Sequence, residues 1–584
     1  MVSSTVAYAR AWIQRNGLFT LGLLIPLAIV DGPALKAHIE RSMNPFIFND
    51  DARQLIFPLF RYYDRGLFSH DYFATYYLAS FPIGYRALYR IGALLWDPAA
   101  ISKVLPYILL AVTAIAVAAA ARRLAGYFGA FLAVALVLSS NIFLFTMSGG
   151  LPRGFSFPVL AMTAAALMYG KPRFLAAIVC VSAAFYPPVA IQAGIALAIW
   201  LFVLPASDRG GAADWGFWRR IRLIALAASI SALILLPELL GARAYGRSLG
   251  PRDVTEYPEL GPNGRYGPVQ DRPPFKTFPE VAFQWVPNLV EFADGQPWSK
   301  KVQEWGEVRA YPEANQNRDV VIELLIGALL IGGMFVAARD SVGRRLLVLG
   351  VAAWLSHLLA RALTPSLYTP DRYVKYAIPT LLVLLIPAAG AAIGARVAGR
   401  RFSAFGRAAG VIAIAAMVLL PLAGRGPSKD LGLNIDVTSQ QRLYAFLQHL
   451  PKDVLIAGWP TDLNNVPYVS RRQVFIASKL THSYQKGYAD EMRRRMHALI
   501  EAYFATDPGA LERLRDNFGV THLIFQQSIL DKPPDYFEPF SDWIQKAFDD
   551  GKNKGFEIPR QTEAAKVFSD GPLIVLDLRR LSAL

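Results

Sequence analysis

For most of its first 424 residues the chain alternates long apolar runs with short basic connections. A membrane-crossing helix needs roughly 17 to 25 predominantly apolar residues. Runs of that kind lie near 15–31, 101–121, 124–146, 154–170, 174–188, 189–204, 221–240, 319–337, 346–363, 377–395 and 408–424, about eleven spans in all. Tyr186, Pro187 and Pro188 interrupt the stretch 174–204, leaving either two short spans or a re-entrant hairpin. The first run contains Pro26 and has further spans behind it, so it reads as a span rather than a signal peptide.

After Gly424 the pattern turns soluble. "SQQRLYAFLQHL" (439–450), "DEMRRRMHALIEAYF" (490–504) and "PGALERLRDNF" (508–518) carry apolar residues at helical spacing. "DVLIAG" (453–458), "QVFIA" (473–477), "THLIFQ" (521–526) and "LIVLDL" (573–578) are short continuous apolar runs, as buried strands are. Helices alternating with strands predict a small α/β domain over 425–584. It has no glycine-rich phosphate loop, no HExxH and no GxSxG. It therefore reads as a binding or lid domain rather than a second enzyme.

Composition supports the membrane reading. Of the 584 residues, 54% are hydrophobic and 18% charged, against about 25% charged in soluble domains. The fold class predicted is a polytopic α-helical membrane protein over 1–424 with a C-terminal soluble α/β domain. The net charge of +16 would ordinarily point to nucleic acid, but its distribution points elsewhere. With the N-terminus cytoplasmic, the short inner connections hold roughly 17 Lys and Arg (Arg10, Arg122, Arg123, Lys171, Arg219, Arg344, Arg345 and Arg400 among them) against three acids, Asp208, Asp214 and Asp340. The basic excess is thus mostly a topology signal, and no nucleic-acid partner is expected. This orientation places outside the membrane a first loop at about 32–100, a second at about 241–318 and the C-terminal domain. The layout fits a bacterial inner membrane. Cys180 stands alone, which excludes an intrachain disulfide and a cysteine metal cluster.

Large polar segments on one face suggest that the chemistry happens there. The first loop carries "FIFNDDARQLIFPLF" (46–60), with Asp50 and Asp51 among aromatic residues. Two carboxylates in apolar surroundings are costly unless they cap, pair, bind metal or react. The plainest role is structural: Asn49 as N-cap and both acids in the first turn of a helix running to about Tyr63, with Ile56, Leu59, Phe60 and Tyr63 buried and Pro58 kinking it. Neighbours on a helix point about 100° apart, so one carboxylate can cap while the other faces a cavity. Cationic candidates lie at outer ends of spans: Arg153 in "GGLPRGFSF", Arg361 one turn after His357, and Arg372 and Lys375 in "SLYTPDRYVKY". Ionisable residues in spans are functional candidates by default, with snorkelling to the interface as the alternative. Together the two sets have the chemistry for transferring a group from a lipid phosphate: a carboxylate to take a proton and cations to hold the departing phosphate.

The first span followed by a long outer loop with paired acids, "NDDARQLIFPLFRYYDRGLF", resembles the GT-C superfamily of integral-membrane glycosyltransferases. "PDRY" (370–373) ahead of a late span, and a soluble outer C-terminal domain with "NFGVTHLIF" (517–525), are similar to sequences in such proteins. The resemblance implies a polyprenyl-phosphate-linked sugar as donor, a glycan, lipid or protein acceptor, membrane lipids as surroundings, and an acid of the first outer loop as catalytic base. That acid falls on Asp50 or Asp51, with Asp50 preferred and Asp71 beside His70 in reserve. The chain has no WWDYG, which argues against the metal-dependent oligosaccharyltransferase branch. A Mg or Mn site built from Asp50, Asp51, His70 and Asp71 stays open, because carboxylates suit those ions. Aromatic residues of the second outer loop (Trp285, Trp298, Trp305) are candidates for the sugar site or for membrane anchors. A transporter or flippase of lipid-linked glycans and a non-catalytic scaffold are the competing function classes. The transporter predicts polar groups near mid-membrane, whereas these lie near outer ends.

Overall fold

The computed structural model describes residues 32–261, 263–265, 328, 331–363, 367, 370–399, 403–419, 431–481, 484–507 and 509–583. The predicted span at 15–31, most of that at 319–337 and the second-loop tryptophans Trp285, Trp298 and Trp305 lie outside the described residues.

Four described helices are long and apolar enough to cross a membrane: Pro98–Ser139, Phe217–Arg243, Ser341–Ala362 and Arg372–Val397. Shorter apolar helices cover Pro172–Phe185, Pro187–Phe202 and Ser403–Ala416. The predicted span at 101–121 and most of that at 124–146 lie in one 42-residue element, Pro98–Ser139, broken at Gly126, whose φ of +77° only glycine adopts cheaply; the rest of the second falls in a separate helix, Asn141–Met147. The span predicted at 154–170 is a 13-residue helix, Ser156–Met168, because a 3₁₀ turn over Pro152–Phe155 takes its start. The stretch 174–204 resolves into two packed helices, Pro172–Phe185 and Pro187–Phe202, each opened by a proline at its first position. Small residues let backbones meet: a Cβ on Gly390 would lie 3.1 Å from the Gly410 carbonyl oxygen of the neighbouring helix.

The basic connections gather at one end of the bundle. Arg344 grips Asp208 through two hydrogen bonds of 2.6 and 2.9 Å. Arg345 donates to the Leu167 carbonyl at 3.2 Å, between the turns at Gly170 and Gly210.

At the opposite end sit the first loop and the α/β domain. Strand β1 (Ile47–Phe48) pairs antiparallel with β2 (Ile435–Asp436), tying the first loop to the chain leaving the bundle. The α/β domain holds a five-stranded sheet from β3 (Leu455–Gly458), β4 (Gln473–Val474), β5 (His522–Gln526), β6 (Lys566–Asp570) and β7 (Leu573–Asp577), in the order β4-β3-β5-β7-β6. β3 runs parallel to β4 and β5, while β7 is antiparallel to β5 and β6. Helices Lys486–Tyr503 and Gly509–Phe518 carry the chain from β4 to β5. The predicted strands and helices are all present. Not anticipated were β6 and the helices Phe540–Gly551 and Glu557–Ala565.

The domain docks on the first loop and on the end of helix Phe217–Arg243. Leu249 donates its N–H to Tyr484 O at 2.8 Å, and Lys486 to Arg247 O at 2.9 Å. Tyr488 packs on Tyr72 and Tyr76, with ring centroids 5.7 and 4.0 Å apart. Ion pairs Lys452–Asp64 and Arg471–Asp97, both at 2.6 Å, close the edge.

Candidate active site

The predicted single helix after "NDD" is three short pieces: Ala52–Leu55, a 3₁₀ turn over Phe57–Leu59, and Phe60–Tyr63. Pro58 lacks the N–H that would continue the helix. Ile56, Leu59 and Phe60 are buried, as expected, whereas Tyr63 is 53% exposed. Asp51 is the N-cap of the first piece, but its side chain accepts no capping hydrogen bond. Asn49 takes the structural role instead. It is buried; its Oδ1 accepts from Asp51 N at 3.0 Å and from Arg153 Nη2 at 3.2 Å, and its Nδ2 donates to Gly432 O at 2.7 Å.

The two aspartates face different partners. Asp50 is ion-paired with Arg53 and with Lys479, and its N–H donates to Asn434 Oδ1 at 2.9 Å. Asp51 is ion-paired with Arg153, and Lys479 Nζ lies 3.4 Å from its Oδ1. Only Asp51 lines a cavity of about 500 Å³ at this end of the bundle, together with Arg153, Arg372 and Glu238. Burial alone would raise the Asp51 pKa. The Arg153 and Lys479 charges, the Arg153 hydrogen bond and the more distant Arg372 outweigh it, and the carboxyl is held well below the usual carboxylate range.

Each cation reaches the cavity for a local reason. Arg153 follows "GGLP", where Gly149 and Gly150 adopt φ of +88° and +62°. The Gly150 carbonyl accepts from the buried Tyr89 and Tyr85 hydroxyls at 2.8 and 3.2 Å. Arg372 opens the last long span; its Nη1 donates to Tyr186 Oη at 3.3 Å, so "YPP" is part of the cavity wall. Gln192, one turn further along, donates to Tyr373 O at 2.7 Å and fixes the two helix starts together. Tyr76, Tyr77, Phe81 and Tyr484 supply aromatic wall, and Gln54, Ser248 and Gln485 supply polar wall.

The remaining candidates do not join this wall among the described residues. Arg361 ends helix Ser341–Ala362 away from the lining, and Lys375 lies one turn past Arg372. His357 is buried, with Nδ1 3.0 Å from Pro370 O, and braces the chain just before Arg372. His70 is exposed. Asp71 is buried as the N-cap of helix Tyr72–Ser80, its Oδ1 accepting from Ala74 N at 2.6 Å. Among the described residues no three His, Cys, Asp or Glu groups converge as metal ligands. Asp50, Asp51, His70 and Asp71 thus do not assemble the Mg or Mn site left open, and the coordination positions of Asp50 and Asp51 already face cationic side chains. Two residues here were not singled out as site members beforehand. Lys479 is 428 positions from Asp51 in sequence, and only tertiary folding joins them. Glu238, near the end of helix Phe217–Arg243, lines the cavity with a buried Oε2 that makes no hydrogen bond.

No known family profile and no curated protein sequence matches the chain. Solved structures do. ArnT from Cupriavidus metallidurans in the apo state aligns with a TM-score of 0.51 and 14% identity, covering 98% of this chain and 98% of that one. The same protein bound to undecaprenyl phosphate aligns with a TM-score of 0.50 and 14% identity, covering 97% and 98%. The chain has the GT-C fold. Archaeal oligosaccharyltransferase AglB from Archaeoglobus fulgidus, in complex with an inhibitory peptide and a dolichol-phosphate, aligns with a TM-score of 0.49 and 12% identity over 96% of this chain and 74% of that one. Within this fold the cavity lies where the helix bundle, the first loop and the α/β domain meet.

Proposed function

We propose that the chain is a membrane glycosyltransferase that moves a sugar from a polyprenyl-phosphate carrier to an acceptor hydroxyl, with Asp51 rather than Asp50 as the general base. The observation that carries this reading is the lining of one cavity by an ionised carboxylate and two guanidinium groups, Asp51 with Arg153 and Arg372. ArnT, which shares the fold, is known bound to undecaprenyl phosphate. In the reaction the acceptor oxygen bonds to the anomeric carbon. The bond from that carbon to the phosphate oxygen breaks, its electron pair leaving with the phosphate. Arg153 and Arg372 stabilise the charge that develops there. The acceptor proton passes to Asp51.

The cation pairing has a kinetic logic. A carboxylate gripped by Arg153 is a weak base. A donor phosphate competes for both arginines, and as they turn to it the basicity of Asp51 recovers. The base is thereby strongest when the leaving group is in place. The lining of aromatic and amide side chains suits a sugar, whose hydroxyls need hydrogen-bond partners and whose faces stack on rings. In this reading the cavity opens on the outer face, with the N-terminus cytoplasmic and the α/β domain outside a bacterial inner membrane.

The test is transfer by the full-length protein in lipid nanodiscs, supplied with a panel of polyprenyl-phosphate sugars and assayed for release of free polyprenyl phosphate. Release by the wild type and its loss in Asp51→Asn is the expected outcome. A wild type that neither binds polyprenyl phosphate nor releases it from any donor overturns the proposal.

A further inference from the structure

We infer that the C-terminal α/β domain is part of the catalytic apparatus, supplying Lys479 as the residue that positions Asp51; this rests on the transferase reading above. The topology brings it there. The sheet order β4-β3-β5 makes β3 a switch point, with the following strand on one side and the next on the other. In parallel sheets the loops beyond the carboxyl ends at such a point form the functional edge. Here that edge meets the first loop. The loop after β3 supplies Asn464, whose Oδ1 accepts from Lys479 N at 2.8 Å, and Asn465, whose Oδ1 accepts from Arg53 Nη1 at 2.9 Å. The loop after β4 supplies Lys479 itself, whose ammonium lies between Asp50 and Asp51.

Lys479 does not line the cavity. It stands behind Asp51 and acts through it rather than on the substrate. Its side chain is only 20% exposed, so the pairing is shielded from bulk solvent. Asp51 also faces Arg153 and Arg372, while Asp50 shares Lys479 and is held by Arg53. Of the three cations that act on Asp51, Arg153 and Arg372 line the cavity and Lys479 does not, so Lys479 is the one that a donor phosphate there leaves in place. When Arg153 turns to the phosphate, Lys479 is the anchor that keeps the Asp51 carboxylate ionised and aimed. The domain need not open or close for this to hold.

The decisive variants are Lys479→Met, which removes the charge with little change in volume, and Lys479→Arg, which keeps it. One readout is independent of turnover: the infrared carbonyl band of protonated Asp51 followed against pH, assigned by its disappearance in Asp51→Asn. An opposite charge removed from within about 4–6 Å shifts an aspartate by roughly one unit or more. The Asp51 transition should therefore move up by at least that much in Lys479→Met and return in Lys479→Arg. In transfer assays kcat should fall on the order of 10- to 100-fold, as misplaced catalytic groups do, with the donor KM unchanged and the acid limb moved up alike. An Asp51 transition unmoved in Lys479→Met overturns the inference whatever the turnover. So does a raised donor KM at unchanged kcat, which would make Lys479 a phosphate ligand. Absence of transfer in the wild type overturns the functional reading instead, whatever the infrared band shows.

Discussion

Asp50 and Asp51 are chemically identical neighbours with different surroundings, and the difference assigns them different mutational outcomes. Replacing Asp51 by Asn leaves the backbone hydrogen bond from its N–H to Asn49 in place and removes the proposed base. Transfer should fall by at least about 100-fold, the usual worth of a general base, with unchanged expression and melting temperature. Asp50 braces Arg53 and Lys479 outside the cavity, so Asp50→Asn should cost about tenfold or less in kcat/KM, near 1.4 kcal/mol. Steady-state kinetics of the two variants side by side decide between them; the reverse order would make Asp50 the base. Because the Asp51 pKa is depressed, its carboxylate is ionised throughout the ordinary range. Wild-type kcat/KM should accordingly show no acid limb from this group between pH 5 and 8. Asp71 behaves in the opposite sense. Burial pushes its carboxyl up to about 6, against the Ala74 backbone hydrogen bond. A folded-state value above the unfolded one means that stability is fully present below about pH 3.8 and is lost as pH rises to about 6. The loss is roughly 3 kcal/mol at 1.36 kcal/mol per unit. Asn keeps the cap without the charge, so Asp71→Asn should retain transfer and raise stability at pH 7 relative to wild type, with a flatter profile between pH 4 and 7. Chemical denaturation at those two pH values measures it, and a variant less stable than wild type at pH 7 counts against the assignment.

At the scale of elements, the site depends on short turns more than on the long helices. The sequence marked the long elements well because a 20-residue apolar run has few alternatives in a membrane. It marked poorly where they stop: the 3₁₀ turn before Ser156 and the break at Gly126 depend on tertiary packing as well as on local residues. The "NDD" stretch, Arg153 and Arg372 stood out in the sequence because charges beside spans are conspicuous, and the structure brings Asp51, Arg153 and Arg372 to one cavity. Which of the two aspartates faces the cavity was not legible, because the turn at Asn49 and its bond to Gly432 set the direction. Lys479 was not legible at all, lying in an unremarkable loop of the distant domain. The turn at 149–150 carries the sharpest consequence. A Cβ on Gly150 would meet Tyr89 Oη at 2.6 Å and Ser102 Cα at 2.7 Å, at a φ of +62°. Backbone strain of this kind costs about 1–3 kcal/mol before any clash. Gly150→Ala should lower the melting temperature and, by displacing Arg153, weaken polyprenyl phosphate binding. Thermal unfolding and equilibrium binding on one preparation check both, and a variant with wild-type binding would show that Arg153 is placed independently of the turn.

At the scale of the whole molecule, the short arginine-rich connections lie at one end of the bundle and the cavity lies at the other, and this sets the expected orientation. One end gathers Arg344, Arg345 and Asp208 with the glycine turns at 170 and 210. The other gathers Asp51, Arg153, Tyr186, Glu238 and Arg372, beneath the α/β domain. Positive residues in short loops stay on the cytoplasmic side. The arginine-rich end should therefore be inside, and the cavity and the α/β domain outside. The sole cysteine makes this directly measurable. On a Cys180→Ser background, a cysteine can be placed at Asn553, exposed in the α/β domain, or at Asp214, exposed in the arginine-rich connection. In intact cells stripped of any outer barrier, a membrane-impermeant maleimide should label Asn553→Cys at once and Asp214→Cys only after lysis. The inverse pattern would put Asp51 on the cytoplasmic side, where lipid-linked sugars are met from the opposite leaflet. The chemistry of the cavity would survive that result, but the outer-face acceptor would not. The labelling experiment therefore separates where the reaction occurs from what the reaction is.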